Sequence, residues 1–180
     1  MTAHHNTSSG IRDNHTRGTV ADFLLSKVSN DSKLSIVSAY FTIHAYDSLR
    51  PTLDQIGKLR FLFGEPKFIQ SLDPEKTERK RFAIEDDGLE LANRLTQRQV
   101  AFDCASWLNE KVDIRSVLDA NFVHGKMYFI DDGRREHAIV GSSNFTRRGL
   151  GISSTPNIEL NLIVDSDRDR SDLKAWFDAI

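Results

Sequence analysis

Two stretches decide how this chain is read: Phe122-Val123-His124-Gly125-Lys126-Met127-Tyr128-Phe129-Ile130-Asp131 and Gly141-Ser142-Ser143-Asn144-Phe145-Thr146. The first is an apolar run of strand character, broken by a histidine and a lysine two positions apart. Residues two apart on a strand face the same side, so His124 and Lys126 are expected to project together, with Gly125 leaving the backbone open between them. An imidazole beside an ammonium is a poor pair for a core and a natural pair around a phosphate. The lysine neutralises the anion, and the histidine attacks phosphorus or transfers a proton. The second stretch reads as a turn after the next strand, offering hydroxyl, amide and main-chain N–H donors to the same oxygens.

Outward from this centre, strands alternate with helices. Val20, Phe23, Leu24 and Val28 recur at helical spacing over 19–28. Leu34, Ile36 and Val37 start a strand that runs into Ser38-Ala39-Tyr40-Phe41, and a helix follows over 43–56. Leu59, Phe61, Leu62 and Phe63 form a buried strand closed by Gly64 and Pro66. Residues 67–88 carry a dense run of charges and read as a solvated excursion, in which Arg79-Lys80-Arg81 either touches phosphates or forms a solvated face. Leu89, Ala92, Leu95, Val100, Phe102 and Leu108 populate a helix over 88–110, with Trp107 expected in the core rather than stacked on a base. A short strand over 112–117, strands over 122–130 and 137–140, another at 160–164 and a helix over 169–180 complete the pattern. The alternation predicts an α/β fold, a mixed β-sheet flanked by helices in a single domain. Residues 1–17, which include His4 and His5, read as a loose, polar N-terminal arm, and residues 18–180 as the domain.

Composition narrows the classes. The chain has 180 residues, 39% of them apolar and 28% charged, with a formal net charge of −2. It is long enough for a hydrophobic core and carries no global basic field, so a nucleic-acid partner would have to meet a local basic patch. Cys104 is the lone cysteine, which rules out an intramolecular disulfide and paired-cysteine zinc sites and favours a cytoplasmic origin. No apolar run approaches the ~20 residues of a membrane span, and the first residues lack the apolar core of a signal peptide. The final stretch, Leu173 to Ile180, is an apparent helix without a terminating glycine or proline, which reads as a fragment of a longer chain.

His124-x-Lys126, Asp131 and Gly141-Ser142-x-Asn144 together resemble the HKD motif of the phospholipase D-like superfamily. Asn157-Ile158-Glu159 resembles the Asn-x-Glu element that follows the motif in bacterial members, and Ser38-Ala39-Tyr40-Phe41 the first core strand of these domains. The resemblance runs from about residue 18 to the end. It implies a phospholipase D-like nuclease fold and a phosphodiesterase with His124 as the nucleophile, passing through a phosphohistidine. Lys126 and Asn144 would bind the scissile phosphate with Ser142 assisting. Glu159 would hydrogen-bond the histidine and set its tautomer. Asp131 would be a structural partner. No metal or other cofactor is implied.

The nine residues 132–140 separate Asp131 from Gly141, a wider spacing than is usual in the family, with 132–136 as the hairpin extension. Arg134 and Arg135 at that tip either meet nucleic acid or are solvated. The reaction needs one histidine to attack and a second to protonate the leaving oxygen, yet the chain has one motif. His44 and His137 lack the following lysine and read as ordinary. A homodimer sharing one central site is therefore expected, or a second motif elsewhere in a longer chain. Single-motif members resemble bacterial endonucleases, and similar domains precede helicase motors, so DNA is the expected substrate and a helicase in the same chain an expected neighbour. Two other readings stand beside it: a non-catalytic DNA-binding or dimerisation module of a helicase, and a lipid phosphodiesterase. A metal-dependent nuclease ranks below them, since no acidic cluster has ligand spacing.

Overall fold

A computed structural model describes residues 9–63, 94–117 and 123–180. Among these, seven strands form one mixed sheet: β1 (Ile11–Arg12), β2 (Lys33–Ser38), β3 (Lys58–Phe63), β4 (Val112–Ser116), β5 (Lys126–Asp131), β6 (Glu136–Gly141) and β7 (Asn161–Val164). Their order is β1-β7-β6-β5-β2-β3-β4. β2, β3 and β4 run parallel to one another, and the remaining pairings are antiparallel. The helices among the described residues are α1 (Val20–Lys27), α2 (Ile43–Leu53), α3 (Arg94–Lys111), the single turn α4 (Arg147–Leu150) and α5 (Asp167–Ala179). The expected α/β class with a mixed sheet is what the chain forms.

The central strand β5 explains why the sequence there is almost continuously apolar. Alternate residues enter two cores, one on each face of the sheet. Tyr128 and Ile130 join Leu34, Ile36, Leu59 and Phe61 under α1, α2 and α3. Met127 and Phe129 join Val37, Leu62 and Ala138 under Phe177 of α5. By the same alternation Lys126 falls on the face of Tyr128 and Ile130. Trp107 is buried as expected, with its Nε1–H donating to Leu53 O at 3.1 Å and its ring 4.9 Å from that of Tyr46.

Several boundaries differ from the sequence reading. β2 stops at Ser38 because the Ser38 hydroxyl accepts the N–H of Tyr40 at 3.3 Å and of Phe145 at 2.9 Å, turning the chain. Phe41 then makes an isolated bridge to Phe145, their rings stacked 5.2 Å apart. α2 ends at Leu53 rather than 56, and Phe102 of α3 is exposed. β5 begins at Lys126, so His124 and Gly125 precede the strand instead of lying in it. Residues 67–88, Arg79-Lys80-Arg81 among them, lie outside the described residues.

The loose arm expected up to residue 17 is also corrected for residues 9–17. β1 pairs with β7, and the Asp13 carboxylate accepts the main-chain N–H groups of His15, Thr16 and Arg17 at 2.8–2.9 Å. Asn14 is buried with φ +59°; its Nδ2 donates to Gly149 O at 2.7 Å and its Oδ1 accepts from Val20 N at 3.1 Å. These polar residues hold main-chain groups rather than solvent, which a composition-based reading of a polar segment does not detect.

Candidate active site

The ends of β2 and β6 and the starts of β5 and β7 meet at one end of the sheet. Lys126 is the register partner of Gly141, and Gly141 of Asn161, so one rung crosses three strands. Gly141 is required there. A Cβ would sit 2.2 Å from Leu160 O and 2.6 Å from Asn161 Cα, which only separation of β6 from β7 could relieve.

Lys126 is the charged residue of this rung and is 7% exposed. Its ammonium donates to His124 O at 2.7 Å, tying the residue before the strand to the strand itself. Burial pushes its pKa below the ordinary lysine value, and the charge of Glu159 partly opposes the shift. Glu159 charge also acts on Tyr128, whose hydroxyl is driven well above its usual pKa, chiefly by burial. Lys126, Tyr128 and Glu159 therefore share one electrostatic neighbourhood.

His124 is exposed, and Glu159 does not reach it. The carboxylate instead takes the Ser142 hydroxyl on Oε2 and Asn157 Nδ2 on Oε1, the latter at 3.1 Å. Both oxygens are engaged on the β6–β7 side, while His124 stands at the free start of β5. The expected Glu159–His124 hydrogen bond is thus replaced by a Glu159–Ser142–Asn157 cluster. The main chain fixes this cluster further: Leu160 N donates to Ser142 Oγ at 3.1 Å, and Glu159 N to Asp13 O at 3.0 Å.

Asn144 stands opposite, at the end of β2. Its Oδ1 accepts from Ala39 N at 3.1 Å and lies 3.2 Å from Ser38 Oγ. Gly149 of α4 packs on its backbone so closely that a Cβ would lie 2.4 Å from Asn144 O. Ser143, between Ser142 and Asn144, faces inward: Tyr128 donates its hydroxyl to Ser143 O at 3.0 Å. Asn161 accepts from Ser143 N at 3.3 Å and donates to Ser143 Oγ at 2.9 Å and to Arg12 O at 3.1 Å. The turn is thereby held in place from below before any substrate arrives.

Asp131 lies at the other end of β5, where Oδ1 accepts Gly133 N at 2.9 Å and shapes the hairpin. With about 3.4 Å of rise per residue, the strand puts that hairpin roughly 17 Å from Lys126. Arg134 and Arg135 are exposed at the far end of the strand, so the extended hairpin lies away from the site. His137 pairs with Asp132 there, Nε2 to Oδ2 at 3.5 Å. Among the described residues no group of three or more His, Cys, Asp or Glu side chains is arranged to hold a metal ion.

Sequence reasoning missed Ser38, Tyr128, Asn161 and Asn14 as site-building residues. A signal for three of them existed: a hydroxyl or amide embedded in, or ending, an otherwise apolar strand run is a candidate for a buried hydrogen bond.

A seven-stranded mixed sheet with a lysine, an asparagine and a serine converging beside a free-standing histidine defines a phospholipase D-like domain, a class of phosphodiesterase-type enzymes. Residues 15–180 match the family model described as the cardiolipin synthase, PLD-like domain, and the chain belongs to that family. No curated protein matches it. No helix among the described residues is long and apolar enough to cross a membrane.

Proposed function

We propose that the chain is a phosphodiesterase in which His124 attacks phosphorus, and that its substrate is DNA. The observation that carries the first part is the buried Lys126 ammonium. A lysine held at 7% exposure against its burial cost, in register with Gly141 at the head of the Ser142–Asn144 turn, suits a site that takes an anion. In the reaction, the imidazole of His124 forms a bond to phosphorus and the ester oxygen leaves with a proton from a second histidine. Water then displaces the imidazole, giving its proton back to that second histidine. Lys126 and the Nδ2 donors of Asn144 stabilise the charge on the non-bridging oxygens.

The second histidine is His124 of the partner subunit in a symmetric homodimer. What supports this is the single motif in the chain and an exposed apolar series flanking Glu159: Ile158, Leu160 and Leu162 are 77%, 69% and 51% exposed. Such a series beside a half-complete site suits a second copy better than water. DNA rather than another diester is supported by the resemblance of single-motif domains of this kind to bacterial endonucleases.

A lipid phosphodiester is the second reading, favoured by the family's description and by the same exposed apolar residues. The deciding experiment measures cleavage of single- and double-stranded DNA and of phosphatidylglycerol vesicles in excess EDTA, with His124→Ala beside the wild type. DNA cleavage lost in the variant supports the nuclease. Turnover of vesicles alone moves the substrate to lipid, and His124-independent cleavage overturns the mechanism.

A further inference from the structure

The two ends of a carboxamide have almost the same shape, so what faces a ligand is decided by what holds the other end. At Asn144 that choice is fixed by the main chain. The N–H of Ala39 can only donate, so the Asn144 atom 3.1 Å from it is the oxygen. Nδ2, with two N–H donors, is left pointing elsewhere, and no hydrogen-bond partner engages it among the described residues.

Ser38 organises this arrangement. It is fully buried, and its single hydroxyl proton serves Tyr40 O at 2.8 Å or Asn144 Oδ1 at 3.2 Å. Its lone pairs accept Phe145 N at 2.9 Å and Tyr40 N at 3.3 Å. One hydroxyl therefore fixes the backbone directly after Asn144, the loop that presents Ala39 N, and the amide oxygen itself. Thr42 N donating to Phe145 O at 3.1 Å and the Phe41–Phe145 ring stack close the clamp.

We propose that Ser38 is a positioning residue that, with the Ala39 amide, turns the NH2 end of Asn144 toward the phosphate. This rests on the phosphodiesterase reading above. An inverted carboxamide would present its oxygen to an anion and repel it, so the clamp determines whether Asn144 is a donor at all.

The test uses the full chain and tungstate, a tetrahedral oxyanion that reports binding without turnover. Calorimetric affinity and thermal stability are measured for the wild type, Ser38→Ala, Asn144→Ala and the double variant. Ser38→Ala is expected to weaken tungstate binding roughly 10-fold in the wild-type background. It should change binding less than about 2-fold when Asn144 is already alanine, since the group it positions is then gone. Equal weakening in both backgrounds, or none in a folded Ser38→Ala protein, overturns the positioning role.

A Ser38→Ala chain that does not fold leaves a second measurement. The side-chain NH2 resonances of Asn144, assigned with Asn144→Ala, are expected to shift on adding tungstate to the wild type. Binding without that shift overturns the orientation. Tungstate that fails to bind the wild type at all removes the phosphate site itself, and this inference with it.

Discussion

Asn161 and Ser143 hold each other through two hydrogen bonds, Ser143 N to Asn161 Oδ1 at 3.3 Å and Asn161 Nδ2 to Ser143 Oγ at 2.9 Å, in a region where both residues are buried. This pair carries the turn that presents Ser142 and Asn144, although neither of its members faces the site. Asn161→Ala would leave the Ser143 amide, its hydroxyl and Arg12 O without their partner. A loss of about 2–3 kcal/mol in urea unfolding is expected, together with reduced turnover. Full activity in the destabilised variant would show that the turn holds its shape without this support.

Gly141→Ala is expected to damage both fold and site. The added methyl would press on Leu160 O and the Asn161 backbone, which are strand atoms and not the end of a flexible side chain. Separating β6 from β7 costs about 1–3 kcal/mol or more and moves Ser142 away from Glu159. Gly125→Ala is the control, because nothing lies within 4 Å of a Cβ built there. Thermal unfolding of the two variants side by side checks the difference, and equal stabilities would contradict it.

The fold class was legible because β5 and its neighbours announce themselves through apolar runs, and those runs are buried on both faces. The residues of the site were legible because a histidine, a lysine and a Gly-Ser-x-Asn turn are conspicuous in such a setting. Their connections were not. Periodicity places Lys126 and His124 on one strand, but pairing begins at Lys126, because the strand ends where its neighbour β6 ends at Gly141. Likewise the sequence offers Glu159 to His124, whereas Ser142, on the adjacent strand end, is the nearer hydroxyl donor. Which polar groups meet depends on strand register, and register is set by long-range packing that a single sequence does not display.

Asp13 provides a pH-dependent prediction. Main-chain N–H groups, first of Arg17 and then of His15, hold its carboxyl down to about pKa 2 against a reference of 3.8. A carboxyl depressed on folding contributes stability above its unfolded pKa and loses it as pH falls through the folded value. The contribution is therefore intact above about pH 4 and lost between there and pH 2. Because Glu159 N donates to Asp13 O, the turn it caps also anchors the candidate site. In thermal melts, Asp13→Asn should flatten the decline in stability across that window. An unchanged slope would place the acid sensitivity in other carboxylates.

Lys126 should oppose stability while serving function. Burial lowers its pKa from 10.5, and the nearby Glu159 charge only partly counters this. A lysine whose folded pKa lies below its unfolded one disfavours the native state wherever the ammonium is charged in both. The penalty is present at neutral pH and relieved as pH rises through the folded value toward 10.5. Lys126→Met keeps most of the length of the side chain, one atom short, and removes the charge. It is expected to abolish phosphodiester turnover and tungstate binding while leaving the fold as stable at pH 7 or more stable, by about 0.5–2 kcal/mol. Urea unfolding at pH 7 and pH 9.5 checks the sign, since the wild type should gain on the variant as pH rises. A variant less stable than wild type at pH 7 would mean that the bond to His124 O and the Glu159 charge outweigh the burial cost. Lys126 would then be held in place by the fold's own interactions rather than kept for an anion.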